Sequence, residues 1–223
     1  FNDAWTDPVS GQTVNHAIVL DFSKYMNRVV EVSPEERWAR VEPGVVLDIL
    51  NLHLRPHGLH FTSDPTTANR ACMGGAIGNN SCGAHSILYG KTSDQVRELK
   101  VILSDGTQTT FSPVGGAALE AKLSGQGLES HIYRKVRRIA HQNRDEILRR
   151  FPKIMRRVSG YSLDAFIDDG PMDLTQMVVG SEGTLCVVTE ARVNLEPRPK
   201  QTAVAVLHFK TLIQSMEATP QIL

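Results

Sequence analysis

The sequence predicts an α+β protein with mostly antiparallel sheet and flanking helices, and two observations carry that reading. Two pairs of alternating apolar and polar runs fold back on themselves as hairpins, and strand patterns far outnumber helical ones. At 223 residues the chain can bury a sizeable core, as one large domain or two small ones.

Residues 17–22 are a short apolar, β-branched run and read as a buried strand. Residues 29–32 and 38–42 alternate, with Ser33-Pro34-Glu35-Glu36 as the turn between them. Residues 45–54 follow Pro43-Gly44, carry apolar side chains at helical spacing and stop at Arg55-Pro56-His57-Gly58. Residues 96–103 meet Asp105-Gly106 and return as residues 107–111; an Asp-Gly pair between such runs is the strongest short hairpin signal. Residues 129–150 read as one long helix, with Ile132, Val136, Ile139, Ala140 and Ile147 on one side and arginines on the other. Residues 185–195 read as a strand ended by Pro197 and Pro199, residues 203–209 as another strand, and residues 212–223 as the start of a helix. Residues 1–10 show neither periodicity, so the chain is expected to be a piece of a longer protein.

Lys and Arg total 24, as do Asp and Glu, so no net field draws the chain to nucleic acid or an anionic membrane. The basic face of residues 129–150 reads as solvated surface, because nucleic-acid binding would want interleaved aromatics and a net positive domain. No apolar run approaches the roughly 20 residues of a membrane helix. Cys72, Cys82 and Cys186 are an odd count without a Cys-x-x-Cys pair, which fits a reducing compartment. The expected location is cytoplasmic, soluble or peripheral to the inner membrane.

Several chemistries are disfavoured by spacing. There is no Gly-x-x-x-x-Gly-Lys-Ser/Thr loop, and no Gly-x-Gly-x-x-Gly between a strand and a helix. His53, His57 and His60 cluster at turn spacing, but without a zincin glutamate they read as solvent-facing, and no metal is expected. Gly180-Ser181-Glu182-Gly183 lacks the Gly-x-Ser-x-Gly spacing of a nucleophile elbow.

What remains is residues 63–86, with glycines at 74, 75, 78 and 83, adjacent Asn79 and Asn80, and almost no charge. So little apolar bulk predicts a long ordered loop rather than a core helix. Loops of that length in compact domains are usually functional or disordered. Glycine lets backbone approach a flat or anionic ligand, and successive N–H groups form anion-binding concavities. A second such turn, residues 180–183, also adjoins an apolar strand. Both fit a large cofactor held by main chain, with the side chains of Thr66, Thr67, Asn79, Asn80 and Ser81 suited to its diphosphate.

These residues resemble a known pattern. Asp64-Pro65-Thr66-Thr67, Met73-Gly74-Gly75, Asn79-Asn80-Ser81-Cys82-Gly83, Tyr89-Gly90 and Ser104-Asp105-Gly106 are similar to blocks of the FAD-linked oxidases, the vanillyl-alcohol-oxidase-like group with a PCMH-type FAD-binding domain. Residues 158–163 and 179–190 are similar to two further blocks. Asn-Asn-Ser-Cys-Gly-Ala-His-Ser and Gly160-Tyr161-Ser162-Leu163-Asp164 most resemble long bacterial D-2-hydroxyacid dehydrogenases that carry a C-terminal iron–sulphur region.

The resemblance implies two α+β subdomains with FAD between them. It places Pro65, Thr66, Gly74, Gly75, Asn79, Ser81 and Gly83 at the cofactor, with Glu182, Gly183 and Val188 at its flavin or adenosine end. Thr67 and Asn80 join that set as polar neighbours, and Cys82 matches a position where some members bond sulphur to the flavin, although a small buried thiol is the simpler reading. Implied for the longer protein is oxidation of a D-2-hydroxy acid of the lactate, glycolate or 2-hydroxyglutarate class, by hydride transfer to flavin N5. The electron acceptor is unassigned. A non-catalytic FAD-binding module and a cell-wall precursor reductase-like flavoenzyme are the alternatives. One departure stands out: of the family's first pyrophosphate loop only Ser10-Gly11-Gln12 has a counterpart. The expected organisation is therefore an atypical N-terminus over residues 1–15, an N-terminally truncated FAD-binding domain over 16–200, and the start of a substrate or cap domain over 201–223. No catalytic residue is expected here, and this chain alone is expected to be inactive.

Overall fold

A computed structural model of the protein describes residues 5–6, 13–14 and 19–222. In chain order the strands are β1 (Trp5–Thr6), β2 (Thr13–Val14), β3 (Val29–Ser33), β4 (Trp38–Val41), β5 (Leu59–His60), β6 (Val96–Ile102), β7 (Gln108–Phe111), β8 (Val187–Asn194) and β9 (Glu196–Pro197). The helices are α1 (Leu47–Leu54), α2 (Met73–Asn79), α3 (Ser86–Tyr89), α4 (Thr92–Gln95), α5 (Gly116–Ser124), α6 (Gly127–Gln142), α7 (Arg144–Arg150), α8 (Thr175–Val178) and α9 (Leu212–Ile222).

Five strands form the main sheet in the order β3-β4-β8-β6-β7, every neighbouring pair antiparallel. Two local hairpins, β3–β4 and β6–β7, are thus joined only by β8, which arrives from far along the chain. One face of the sheet is apolar: Ala39, Val41, Leu99, Val101, Ala191 and Val193 are buried together with Leu47, Leu50 and Leu54 of α1 and Met73, Ala76 and Ile77 of α2. The other face is charged. Arg40 donates to Glu98 (3.0 Å) and Glu190 (2.9 Å), and the Arg192 guanidinium lies 4.0 Å from the centre of the Trp38 ring. This division is the usual arrangement of an antiparallel sheet with one covered face.

Both expected hairpins are present, and the α+β class with antiparallel sheet holds. Five local expectations are overturned. Strands do not outnumber helices, because short helices occupy much of what reads as loop. Residues 19–22 of the expected first strand are irregular, with Val19 75% exposed, while Ala17 and Ile18 lie outside the described residues. In the segment read as lacking periodicity, Trp5–Thr6 pairs with Thr13–Val14; Ser10-Gly11-Gln12 lies outside the described residues. The long helix is broken into α6 and α7 at Asn143 (φ −112°, ψ 19°), whose side-chain amide donates to the Ile139 carbonyl at 2.8 Å and competes with the helix for that acceptor. Residues 203–209 form no strand: Val204 is 93% exposed, and no strand pairs with this run among the described residues.

Candidate functional site

The largest local surprise is α2. Residues expected to form a loop make a helix, because Met73, Ala76 and Ile77 supply one buried apolar edge while the glycines occupy the rest. Tertiary burial here outweighs the roughly 1 kcal/mol that each interior glycine costs a helix. Gly74 is fixed by close approach, since an added Cβ would lie 2.8 Å from Pro43 Cβ. The Gly74 N–H also donates to the Pro43 carbonyl at 2.8 Å. Asn80 ends the helix in the left-handed conformation (φ 48°), and Ser81 N–H reaches back to the Ala76 carbonyl at 2.9 Å.

The turn at residues 180–183 is bonded directly to the end of this helix. Gly180 N–H donates to the Ile77 carbonyl at 2.8 Å, and Glu182 N–H to the Gly78 carbonyl at 3.0 Å. Gly180 (φ 89°), Glu182 (φ 53°) and Gly183 (φ 73°) are all left-handed. Glu182 holds that conformation without glycine's freedom, at a cost of about 1–2 kcal/mol. The third wall is the segment Leu20–Ser23, tethered by Gly44 N–H to the Met26 carbonyl (2.7 Å) and by Met26 N–H to the Phe22 carbonyl (3.1 Å).

Between these walls lies a crevice of about 460 Å³, floored by Ile77, Val178, Val187 and Val188. Gly74, Gly75, Gly78, Glu182 and Gly183 line it. A Cβ at Gly75 or Gly183 would meet no atom within 4 Å, so both glycines leave open slot rather than packed interior. The lining carries the carboxylates of Asp21 and Glu182 and neither Lys nor Arg. Burial pushes the Cys72 thiol up, and the Cys186 thiol up to about 11, so neither crevice cysteine is a thiolate at neutral pH. The slot offers backbone, an apolar floor and no thiolate, a surface suited to holding a flat group.

Of the positions singled out by sequence, the crevice gathers Gly74, Gly75, Glu182, Gly183 and Val188. The others stand off it. Thr66 and Thr67 are exposed beside Pro65, and Asn79 is exposed at the end of α2. Asn80 and Ser81 are buried, with Asn80 Oδ1 accepting from Ser93 N–H (3.0 Å) and the Ser81 carbonyl accepting from Ser63 and Thr92 hydroxyls (3.1 and 2.8 Å). Gly83 allows close approach to Asp64, and its carbonyl accepts from Arg156 (3.0 Å). Cys82 is half-buried and lies off the crevice. His85 Nδ1 pairs with Asp64, outside the slot. His53 and His57 are exposed, whereas His60 Nδ1 lies 3.1 Å from the Glu196 carbonyl. Among the described residues no three His, Cys, Asp or Glu side chains are grouped to hold a metal ion, and no helix is long and apolar enough to cross a membrane.

Sequence reasoning missed the third wall. Pro43-Gly44 signalled only a helix start, yet Gly44 is where the Phe22–Met26 backbone touches down, because a side chain there would overlap the Phe22 carbonyl. Ile77, Val178 and Val187 were also missed, since apolar floor residues look like any other core.

Comparison with known proteins gives one family match: residues 4–112 match the FAD binding domain. A D-2-hydroxyglutarate dehydrogenase of Pantoea ananatis is 38% identical over 95% of this chain and 21% of its own length. That of Escherichia coli is 36% identical over 95% of this chain and 21% of its own. A glycolate oxidase subunit of Bacillus subtilis is 32% identical over 85% of this chain and 30% of its own. The chain thus spans about a fifth of the length of the dehydrogenases it matches.

Proposed function

We propose, from the premise that this chain belongs with the FAD-linked oxidases through its FAD binding domain, that it is the cofactor-holding part of a flavin-dependent dehydrogenase acting on a D-2-hydroxy acid. The observation that carries the reading is the shared crevice: the glycine-rich helix α2 and the glycine turn at residues 180–183, about a hundred residues apart, are bonded edge to edge and leave a slot open between them. When bound, FAD supplies a hydride acceptor for the hydrogen on the substrate's hydroxyl-bearing carbon.

The chain's own residues divide that work. Gly75 and Gly183 leave room for a flat ring, Gly74 holds its helix close against Pro43, Val188 and Ile77 give the ring an apolar floor, and Glu182 flanks it. The cofactor's diphosphate belongs elsewhere, because roughly two negative charges would face Asp21 and Glu182 without a cation on the lining. Pro65, Thr66, Thr67, Asn79, Cys82 and Gly83 are proposed to contact FAD where it extends past the crevice. Asn80 and Ser81 are proposed to act indirectly, by fixing the loop that carries the others. The relatives' names favour a 2-hydroxyglutarate, glycolate or related small acid as substrate. Base, substrate-binding cations and any iron–sulphur cluster are assigned to the longer protein, and residues 201–223 to the start of its next domain. Three free cysteines favour a cytoplasmic setting.

The test is an anaerobic titration of the full-length, flavin-loaded protein with D-2-hydroxyglutarate, glycolate and D-lactate. Bleaching of the flavin absorbance by one of them is expected. A full-length protein without flavin absorbance, or flavin untouched by every acid, overturns the assignment.

A further inference from the structure

Behind the crevice, sharing only Val178 and Cys186 with it, lies a second cavity of about 400 Å³ between α6 and the sheet. Its floor is buried core: Leu103, Phe111, Leu174 and Met177. Its outer wall is the half-buried stripe Leu128, Ile132, Val136 and Ile139, spaced along one face of α6. Open apolar surface of this depth is costly to leave in water, and its size falls in the ordinary ligand-pocket range of about 300–1,000 Å³.

The lining carries few polar groups, and its one formal charge is the Lys135 ammonium. Lys135 and His131 are exposed at the rim one helical turn apart, and no carboxylate lines the cavity. Among the described residues Lys135 has no acidic partner, in contrast to Arg137 and Arg144 of α6 and α7, which pair with Asp169 and Asp168. The Tyr161 hydroxyl is engaged with Thr184 at 2.8 Å. An apolar trough with an unpaired ammonium at its lip fits a molecule with an alkyl or aryl body and one negative head.

We propose that this cavity is a binding site for a medium-chain monocarboxylate, its chain lying along Ile132 and Val136 and its carboxylate at Lys135. At about 30 Å³ per non-hydrogen atom the space holds roughly a dozen such atoms, the size of decanoate. The site is distinct from the crevice, so it stands whether or not the dehydrogenase reading does.

The experiment is displacement of the fluorescent anion 1-anilinonaphthalene-8-sulfonate by decanoate from the full-length, flavin-loaded protein. Saturable displacement with one site per chain is expected. Lys135→Glu should weaken decanoate about tenfold, the size of one lost charge-assisted contact, and should leave decanol unaffected. Ile132→Trp should abolish both by filling the trough, with thermal melts confirming that each variant is folded. The proposal is overturned if decanoate fails to displace the probe, if Lys135→Glu binds it as the parent does, or if stripping FAD raises probe binding. That last result would make the cavity part of the cofactor's site. Dissociation of an oligomer by decanoate in sedimentation would also overturn it, since a second chain would then be the occupant.

Discussion

In residues 73–78 the glycines line the crevice, whereas in residues 80–86 the Asn80 and Ser86 side chains turn inward and bond the chain to itself. Neither half carries Asp, Glu, Lys or Arg, but the first, Met-Gly-Gly-Ala-Ile-Gly, has no polar side chain, whereas the second carries Asn80, Ser81, His85 and Ser86. What separates them is the apolar edge of Met73, Ala76 and Ile77, which draws the first half into a helix against the core. The second half has no such edge and is held by hydrogen bonds instead: Gly83 N–H to Ser86 Oγ at 2.9 Å, and the Ser81 carbonyl shared by two hydroxyls. A glycine-rich, uncharged stretch can therefore be ligand surface in one half and internal scaffold in the next, according to whether an apolar edge or side-chain hydrogen bonds hold it.

The sharpest way to break this contrast is at Asn80. Replacing it with Ala strands the buried Ser93 N–H and forces a residue with Cβ to hold φ 48° without a side-chain partner. Loss of about 2–4 kcal/mol of folding stability is expected, summing an unsatisfied buried donor and the left-handed penalty. Denaturant melts measure it. If Asn80 is scaffold, the fraction still folded should bind FAD as the parent does; parental stability with lost FAD binding would make it a ligand residue.

The neighbouring glycines sharpen the comparison, because they should respond with opposite signs. Gly74→Ala drives a methyl against Pro43 and is expected to cost about 1–3 kcal/mol as overpacking. Gly75→Ala meets nothing and removes an interior glycine from a helix, so up to about 1 kcal/mol of added stability is expected. Its methyl projects into the slot, so flavin affinity should fall as stability rises. A stabilised variant with unchanged flavin affinity would show that the ring does not rest on this face.

Much of the fold was legible in sequence where the signal was local. Asp105-Gly106 announced β6–β7, and the alternation of residues 29–32 and 38–42 across the turn at Ser33-Pro34-Glu35-Glu36 announced β3–β4. The insertion of β8 between these hairpins was not legible, because nothing local records which strand edge a distant segment will join. That insertion is what carries residues 180–183 to α2, so the two glycine-rich segments could be named from sequence but their meeting could not. The helix at residues 73–79 was misread because glycine content argues against helix, and the three apolar side chains that override it form too short a pattern to stand out.

The third wall of the crevice gives the mildest contrast, a latch that depends on pH. Leu20–Ser23 is held in place through Met26 and Arg28, and Arg28 is clasped by Glu42 three times: backbone N–H at 2.8 Å, Nε at 3.1 Å and Nη2 at 2.7 Å. The Arg28 guanidinium, chiefly through its hydrogen bond, holds the Glu42 carboxyl below the ordinary glutamate range. A depressed carboxyl contributes stability that is whole above its unfolded pKa of about 4.3 and is lost as pH falls through the lower folded value. Acidification should therefore loosen this wall before the core. Protection of the Gly44 and Met26 amides, taken against their intrinsic exchange rate at each pH, is expected to fall below about pH 4.3 while that of Leu99 and Val193 is kept. Arg28 is 76% exposed on its side chain, so solvent screens the pair and the effect is the smallest of the set. In Glu42→Gln the wall should exchange quickly at neutral pH and lose its response to acid; a response that persists in that variant would place the latch elsewhere.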